Sequence, residues 1–267
     1  MNSLRPLADM PLSARQRIRG VLADIDDTLS THGRLTAAAY VALERLRAAG
    51  KLVIPITGRP AGWCDHIARM WPVDGVVGEN GAFYMHHDDT NHRLVRRFVA
   101  EAAERAANRG RLADISARIL REVPGTALAS DQLYRETDLA IDFCEDVPPL
   151  SRAAIDRIVA LMEAEGMTAK ISSIHVNGWF GGYDKLATTR MLLSEVFALD
   201  LDAERERWVF VGDSPNDAPM FAFFPNAVGV ANVRPFLDRI ATPPAYITQR
   251  EAGAGFVELA EFLLDPV

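Results

Sequence analysis

Three carboxylates stand within four positions in the stretch Asp24-Ile25-Asp26-Asp27-Thr28. Two ionised carboxylates about 4 Å apart repel each other by roughly 4 kcal/mol at an effective dielectric constant of about 20. A folded protein tolerates such a cluster when a cation offsets this repulsion. Because Asp24 and Asp26 are two positions apart, their side chains project to the same side of an extended chain. The stretch therefore predicts a site where acidic groups converge on a cation.

Two further polar segments directly follow apolar runs that are typical of buried strands. Thr57-Gly58-Arg59 follows Leu52–Ile56, and the segment from Gly212 to Asp217 (GDSPND) follows Trp208–Val211. In an open parallel sheet, ligands bind beyond the carboxyl ends of the strands. Acidic residues at one strand end are often only turn formers or helix caps. Three such loops in one chain favour a shared site instead.

The carboxylates in these loops offer the oxygen ligands that a hard divalent cation prefers. Magnesium binds through one or two carboxylates plus substrate phosphate and keeps several waters. We therefore expect a Mg²⁺ site, and its candidate ligands are Asp24, Asp26, Asp213 and Asp217.

Strand and helix patterns alternate in both halves of the chain, which predicts a parallel sheet covered by helices on both faces. A helix is predicted over Thr36–Ala49, with Thr36 near its N-cap and Gly50 just past its end. The late half repeats the alternation, from the helical pattern Leu186–Leu199 to the helical pattern Glu251–Leu264. The predicted fold class is α/β, with a Rossmann-like, doubly wound core.

The middle of the chain has a different pattern, which predicts an inserted second domain of α+β type. Helices are predicted over Val99–Asn108, Asp114–Glu122 and Ser151–Glu165, together with alternating strands such as Leu139–Phe143. We expect residues 1–84 and 179–267 to form the α/β core and residues 85–178 to form the inserted domain.

Bulk composition excludes some classes of partner. The net charge of −7 among 267 residues argues against broad binding to nucleic acid or to an anionic membrane surface. The two cysteines are far apart and do not form a metal-type pair. Apolar runs are too short to span a bilayer, and residues 1–20 lack a signal-peptide core. We expect a soluble, cytoplasmic protein, for which a small anionic substrate held by a few local Lys or Arg residues is still allowed, whereas the oligomeric state is left open.

The ordered segments Asp24–Thr28, Thr57–Arg59, Lys185 and Gly212–Asp217 resemble the four motifs of the haloacid dehalogenase-like phosphatase superfamily. The long insert resembles the larger α/β cap of the branch that includes sugar-phosphate phosphatases. Within that branch the chain is most similar to the sucrose-phosphate and mannosyl-phosphoglycerate phosphatase-like members.

This resemblance implies a role for each motif residue. Asp24 would attack phosphorus and form an aspartyl-phosphate, and Asp26 would protonate the leaving alkoxide and later activate water. Thr57 and Lys185 would hold the transferring phosphoryl group, and Asp213 would bind the metal. The substrate-binding candidates implied or allowed are Thr57, Gly58, Arg59, Asn80, Arg135, His175, Asn177, Lys185 and Asn216.

Several alternatives stay open. Asn80 could belong to a simple Asn-Gly turn, and His175 and Asn177 could be polar residues on the wet side of a sheet. Position 27, often glycine in this superfamily, is Asp here, and we expect its side chain to face away from the site. The predicted activity is a magnesium-dependent phosphatase acting on a sugar phosphate. A sugar phosphomutase with the same intermediate is the first alternative, and a non-catalytic binding protein is the second.

Overall fold

The computed structural model describes residues 4–172 and 174–265, so the predicted domain ranges extend beyond the described residues at both ends and at residue 173. In chain order the strands are β1 (Arg5–Pro6), β2 (Gly20–Ala23), β3 (Ser30–Thr31), β4 (Arg34–Leu35), β5 (Leu52–Pro55), β6 (Val76–Gly78), β7 (Phe83–Asp88), β8 (Arg93–Phe98), β9 (Ala127–Leu128), β10 (Asp138–Asp142), β11 (Thr168–Ile171), β12 (His175–Trp179), β13 (Trp208–Gly212), β14 (Val228–Gly229) and β15 (Tyr246–Ile247). The helices are α1 (Leu12–Arg17), α2 (Ala37–Ala48), α3 (Ala61–Met70), α4 (Ala102–Glu122), α5 (Arg152–Ala164), α6 (Lys185–Phe197), α7 (Leu201–Glu204), α8 (Ala218–Phe223) and α9 (Ala252–Leu264).

The central sheet is parallel and has the order β1-β15-β14-β13-β2-β5 among the described residues. A parallel bridge between Ile56 and Val77 continues it towards β6. β2 pairs with β13 on one side and with β5 on the other. The three predicted polar loops therefore leave three adjacent strands at the same edge of the sheet.

Side chains alternate across the sheet and bury two separate helix layers. Val21 and Val209 pack in a cluster with residues of α2, α3 and α9. Leu22 and Phe210 pack on the opposite face, in a cluster with residues of α6 and α8. Helices thus cover both faces of the sheet, which confirms the predicted doubly wound α/β fold. Strands that are buried on both faces are continuously apolar, as they are in this sequence.

The helix α2 begins and ends where the sequence predicts. The Thr36 side chain accepts a hydrogen bond from Ala39 N, and Gly50 adopts a φ of +75° just past the last turn. A helix end with left-handed backbone favours glycine, because a side chain is disfavoured there.

A second, antiparallel sheet of order β11-β12-β10-β9 lies within the predicted insert. It packs with α4 and α5 around a separate apolar cluster that includes Ile119, Ile141 and Ile158. The prediction of two helices over Val99–Asn108 and Asp114–Glu122 is wrong, since α4 runs unbroken over Ala102–Glu122. Gly110 lies inside α4, where one glycine costs only about 1 kcal/mol and does not end a helix.

A hairpin of β7 and β8 joins the core to the insert and pairs with β6. Phe83 and Met85 of β7 pack in the same apolar cluster as α3. The boundary predicted at residue 85 falls within this hairpin and stays a prediction. Along the described residues, the helices are all too short or too polar to cross a membrane.

Candidate active site

Lys185 joins two of the predicted motif carboxylates. Its Nζ donates to Asp24 Oδ1 at 2.7 Å and to Asp217 Oδ1 at 2.9 Å. All three side chains are less than one-tenth exposed. Burial lowers the pKa of Lys185, but the charges of Asp217 and Asp24 outweigh this effect and raise the pKa above its usual value. The side chain is therefore an ammonium ion.

Carboxylate oxygens of Asp24, Asp213 and Asp217 lie within 4.8 Å of one another. Burial, opposed by Lys185, raises the pKa of Asp24 to about 8, and burial raises the pKa of Asp213 well above its usual range. Three buried carboxylates around one ammonium leave an excess of negative charge. A divalent cation would remove that excess, so the oxygen donors present fit the predicted Mg²⁺.

The four predicted metal ligands have different surroundings. Both Asp217 oxygens already accept hydrogen bonds, Oδ1 from Lys185 and Oδ2 from the Asp213 backbone N–H at 3.2 Å. A Cβ on Gly212 would lie 2.4 Å from Asp217 Oδ2, so only glycine allows this close approach. The Asp26 carboxylate lies outside the cluster, against Arg59. The Asp213 oxygens accept longer hydrogen bonds from uncharged side chains, from Thr28 Oγ1 at 3.4 Å and from Asn232 Nδ2 at 3.3 Å. The side chains of Asp24 and Asp213 are therefore the better placed metal ligands.

Asp26 is held by the guanidinium of Arg59. Arg59 Nε lies 3.0 Å from both Asp26 oxygens, and Arg59 Nη2 lies 2.9 Å from Asp26 Oδ1. The Arg59 backbone N–H donates to Thr57 Oγ1 at 3.0 Å, and Thr57 is fully buried. This loop brings Thr57, Gly58 and Arg59 to the edge of the sheet next to Asp24 and Asp26, as predicted.

Asp27 has a left-handed backbone, with a φ of 54°. This conformation explains why glycine suits the position, because φ in this region disfavours side chains. Asn232 Nδ2 donates to the Asp27 carbonyl at 3.0 Å and lies 3.3 Å from Asp213 Oδ2. Sequence analysis missed Asn232, which lies outside the four motifs and joins two of their loops.

The turn Asn80-Gly81 positions the start of α6. Gly81 has a φ of +109°, and a Cβ there would lie 2.1 Å from the Asp184 carbonyl oxygen. The Thr188 hydroxyl donates to the Gly81 carbonyl and Asp184 caps α6, which fixes Lys185 in the first turn. Asn80 is buried close to Gly58, and it is not among the described residues that line the pocket.

A pocket lies between the motif loops and the insert. Its described lining residues are Asp24, Asp26, Gly58, Arg59, Arg135, Ser172, Ile174, His175, Asn177, Asp213, Ser214 and Asn216. The insert candidates Arg135, His175 and Asn177 therefore face the same space as the core motifs. The Asn216 side chain accepts a hydrogen bond from Ser214 Oγ at 2.6 Å at the pocket wall.

The structure adds two glutamates that sequence analysis did not select. Glu79 is fully buried and accepts hydrogen bonds from the backbone N–H groups of Ala61, Glu136 and Thr137. It thereby ties the insert to the core. Glu145 lies 3.2 Å from Arg59 Nη2 and 2.8 Å from His175 Nε2. Neither carries a local signal, since both depend on contacts between segments far apart in the chain.

Comparison with known proteins gives one family match and several solved structures of similar fold. The family model described as haloacid dehalogenase-like hydrolase matches residues 21–120. A search among curated proteins finds no match.

Solved structures of similar fold cover nearly the whole chain. The Thermoplasma acidophilum 0175 protein is 19% identical with a TM-score of 0.68, covering 92% of this chain and 98% of that one. The sucrose-phosphatase of Synechocystis, solved with sucrose and phosphate, is 18% identical with a TM-score of 0.60, covering 92% and 98%. A trehalose-6-phosphate phosphatase related protein is 13% identical with a TM-score of 0.61, covering 91% and 96%. At these identities the likeness shows the fold.

Proposed function

We propose that this chain, a haloacid dehalogenase-like hydrolase, is a magnesium-dependent phosphatase that hydrolyses a small phosphomonoester through an aspartyl-phosphate on Asp24. The observation that carries the proposal is the pairing of Asp24 with Lys185 at 2.7 Å, beside Asp213 and Asp217. A carboxylate held by an ammonium is oriented for attack on phosphorus, while the ammonium offsets the charge of an incoming phosphate.

The reaction has two steps at this site. An Asp24 oxygen attacks phosphorus, the bond to the leaving oxygen breaks, and Asp26 gives that oxygen its proton. A water then attacks phosphorus while Asp26 takes its proton, the bond between phosphorus and the Asp24 oxygen breaks, and inorganic phosphate leaves. Thr57 and Lys185 would hold the phosphoryl oxygens through both steps.

Asp24 and Asp213 would hold the Mg²⁺, with Asp217 orienting Lys185 and the Asp213 loop. When bound, the cation neutralises charge on the transferring phosphoryl group and on the clustered carboxylates. The contacts of the two aspartates support this division. Asp217 accepts from the Lys185 ammonium and from a backbone N–H, whereas Asp213 accepts longer hydrogen bonds from uncharged side chains.

A sugar phosphate is the substrate class that we propose. The insert covers the pocket with Asn177, His175 and Arg135, which offer polar groups to hydroxyls of a leaving group. The insert would exclude water until the phosphoenzyme forms. The Synechocystis sucrose-phosphatase, which was solved with sucrose and phosphate, has a similar fold and supports this choice.

The test is release of inorganic phosphate from a panel of sugar phosphates, with Mg²⁺ and with a chelator. We expect release that requires the metal. Substrate isomerisation without release of phosphate, dependent on a sugar bisphosphate, would instead indicate a phosphomutase. A chain that binds sugar phosphate but neither releases phosphate nor isomerises the sugar would be a binding protein.

A further inference from the structure

Each basic side chain among the described residues that line the pocket already has a carboxylate partner. Separations of 2.8–3.4 Å pair Arg59 with Asp26, Asp131 and Glu145, Arg135 with Asp131 and Asp138, and His175 with Glu145. Four carboxylates therefore surround two guanidinium groups and one imidazole. A cation surrounded in this way has little attraction left for a second anion.

Glu145 has a central place in this arrangement. Its Oε1 lies 3.2 Å from Arg59 Nη2 and its Oε2 lies 2.8 Å from His175 Nε2, so one carboxylate engages two of the basic groups. The contact with His175, followed by the charge of Arg59, lowers the pKa of Glu145 to about 2. Glu145 is therefore negatively charged at any pH at which the enzyme would be assayed.

An acidic leaving group would reach Arg59 and His175, which line the pocket and are both held by Glu145. To pair with Arg59 or His175, a substrate carboxylate would have to displace Glu145 or lie beside it. Repulsion between the substrate carboxylate and Glu145 would therefore disfavour binding of an acidic substrate. Hydroxyl groups meet no such repulsion, because carboxylates accept their hydrogen bonds and the uncharged Asn177, Ser172 and Ser214 also line the pocket.

We infer that Glu145 is a specificity-determining residue, which makes the site select phosphomonoesters with an uncharged polyhydroxyl leaving group and reject those with a second acidic group. This inference rests on the proposed phosphatase function and narrows its substrate class. Asp26 and Asp131 also surround Arg59, but Glu145 alone among the described residues bridges Arg59 and His175.

The test uses two substrates that differ at one carbon. Sorbitol 6-phosphate and 6-phosphogluconate have the same chain length, with a hydroxymethyl group in the first and a carboxylate in the second. For each, we would measure kcat/KM for phosphate release and the inhibition constant against p-nitrophenyl phosphate. We expect the wild-type protein to favour sorbitol 6-phosphate by about tenfold or more, the size of one charged hydrogen bond.

Glu145→Gln keeps the side-chain shape and removes the charge. We expect it to reduce the preference for the uncharged substrate by about tenfold, chiefly by improving the acidic one. Asp146→Asn is the matched control, because it removes the same charge from the exposed neighbouring residue and should leave the preference unchanged. Glu145→Ala provides a second variant, and circular dichroism checks the fold of each.

Several results would overturn the inference. These are equal or better use of 6-phosphogluconate by the wild-type protein, an equal loss for both substrates in Glu145→Gln, or the same change in Asp146→Asn. If neither substrate turns over, their inhibition constants against p-nitrophenyl phosphate are compared instead, and the same three outcomes would overturn the inference. Failure to release phosphate from p-nitrophenyl phosphate as well would instead contradict the proposed function, so the two failures are distinguishable.

Discussion

Lys185 Nζ donates to Asp24 Oδ1 at 2.7 Å, across a separation of 161 residues. The two residues come from opposite sides of the inserted segment, and β2 and the start of α6 bring them together at one edge of the sheet. The same ammonium reaches Asp217 at 2.9 Å. One buried cation thus organises two of the four motif loops.

Removing the Lys185 ammonium should affect both activity and stability. We expect Lys185→Met to lower phosphate release at least about a hundredfold and to reduce the free energy of unfolding by about 3 kcal/mol, because two buried carboxylates lose their partner. Phosphate-release kinetics and urea unfolding measure these effects.

Lys51→Met is the control for Lys185→Met. Lys51 directly precedes β5, at the end of the strand away from the site, and donates to the Ile18 carbonyl at 2.8 Å. Its loss should cost about 1 kcal/mol of stability and leave activity unchanged. A Lys185→Met variant as active as Lys51→Met would contradict the assigned role.

The glycine at position 81 should not tolerate a side chain. Gly81→Ala would place Cβ 2.1 Å from the Asp184 carbonyl oxygen in a backbone with φ of +109°. We expect a loss of about 3 kcal/mol in the free energy of unfolding and a loss of activity as Lys185 shifts.

Gly110→Ala is the matched substitution, since nothing lies within 4 Å of a Cβ there and the residue is inside α4. It should stabilise the protein by about 0.5–1 kcal/mol. Thermal unfolding of both variants checks the pair, and equal shifts in Tm would be inconsistent with a tight turn at Gly81.

Glu79 should make stability depend on pH. Burial, and then the charge of Asp138, raises the pKa of Glu79 from 4.5 to about 7. A raised pKa means that the folded state binds the proton more tightly than the unfolded state. Protonated Glu79 therefore contributes about 3 kcal/mol to the free energy of unfolding. This contribution is complete below pH 4.5 and is lost as the pH rises through about 7.

The variant Glu79→Gln cannot ionise, so its stability should fall less between pH 5 and pH 8 than that of the wild-type protein. Urea unfolding at both pH values provides the measurement. Parallel pH dependence in the two proteins would show that Glu79 does not titrate in this range.

Magnesium should stabilise the folded protein through the buried carboxylates. At about 100 times the dissociation constant, a ligand adds about 2.7 kcal/mol to the free energy of unfolding. We expect Asp213→Asn to lose this stabilisation and Asp238→Asn, an exposed aspartate, to keep it. Thermal unfolding with and without Mg²⁺ tests this, and a full Mg²⁺ response in Asp213→Asn would exclude Asp213 as a ligand.

Much of the core could be predicted because its signals are local. The apolar strands, the Thr36 cap and the polar residues at strand ends each depend on a few neighbouring positions, and the order of the parallel strands brings these ends together. The resemblance to haloacid dehalogenase-like hydrolases is confirmed by a family match over residues 21–120, which includes the segments Asp24–Thr28 and Thr57–Arg59 but not the two later motif segments.

The contacts between core and insert could not be predicted in this way. Glu145 meets Arg59 across 86 residues, and Glu79 meets Thr137 across 58, so neither pair has a sequence pattern. That α4 is unbroken could not be predicted for a similar reason. Its buried face packs against the insert sheet, and that packing outweighs the local cost of Gly110.

The central claim is that Asp24 carries the phosphoryl group, and trapping that group tests it most directly. Protein quenched in acid during turnover of a ³²P-labelled sugar phosphate should carry label on the peptide that contains Asp24. Asp24→Asn should carry no label and release no phosphate while keeping its fold, whereas Asp27→Asn should be labelled like the wild-type protein. Phosphate release by Asp24→Asn at a substantial fraction of the wild-type rate, or label on another residue, would contradict the account.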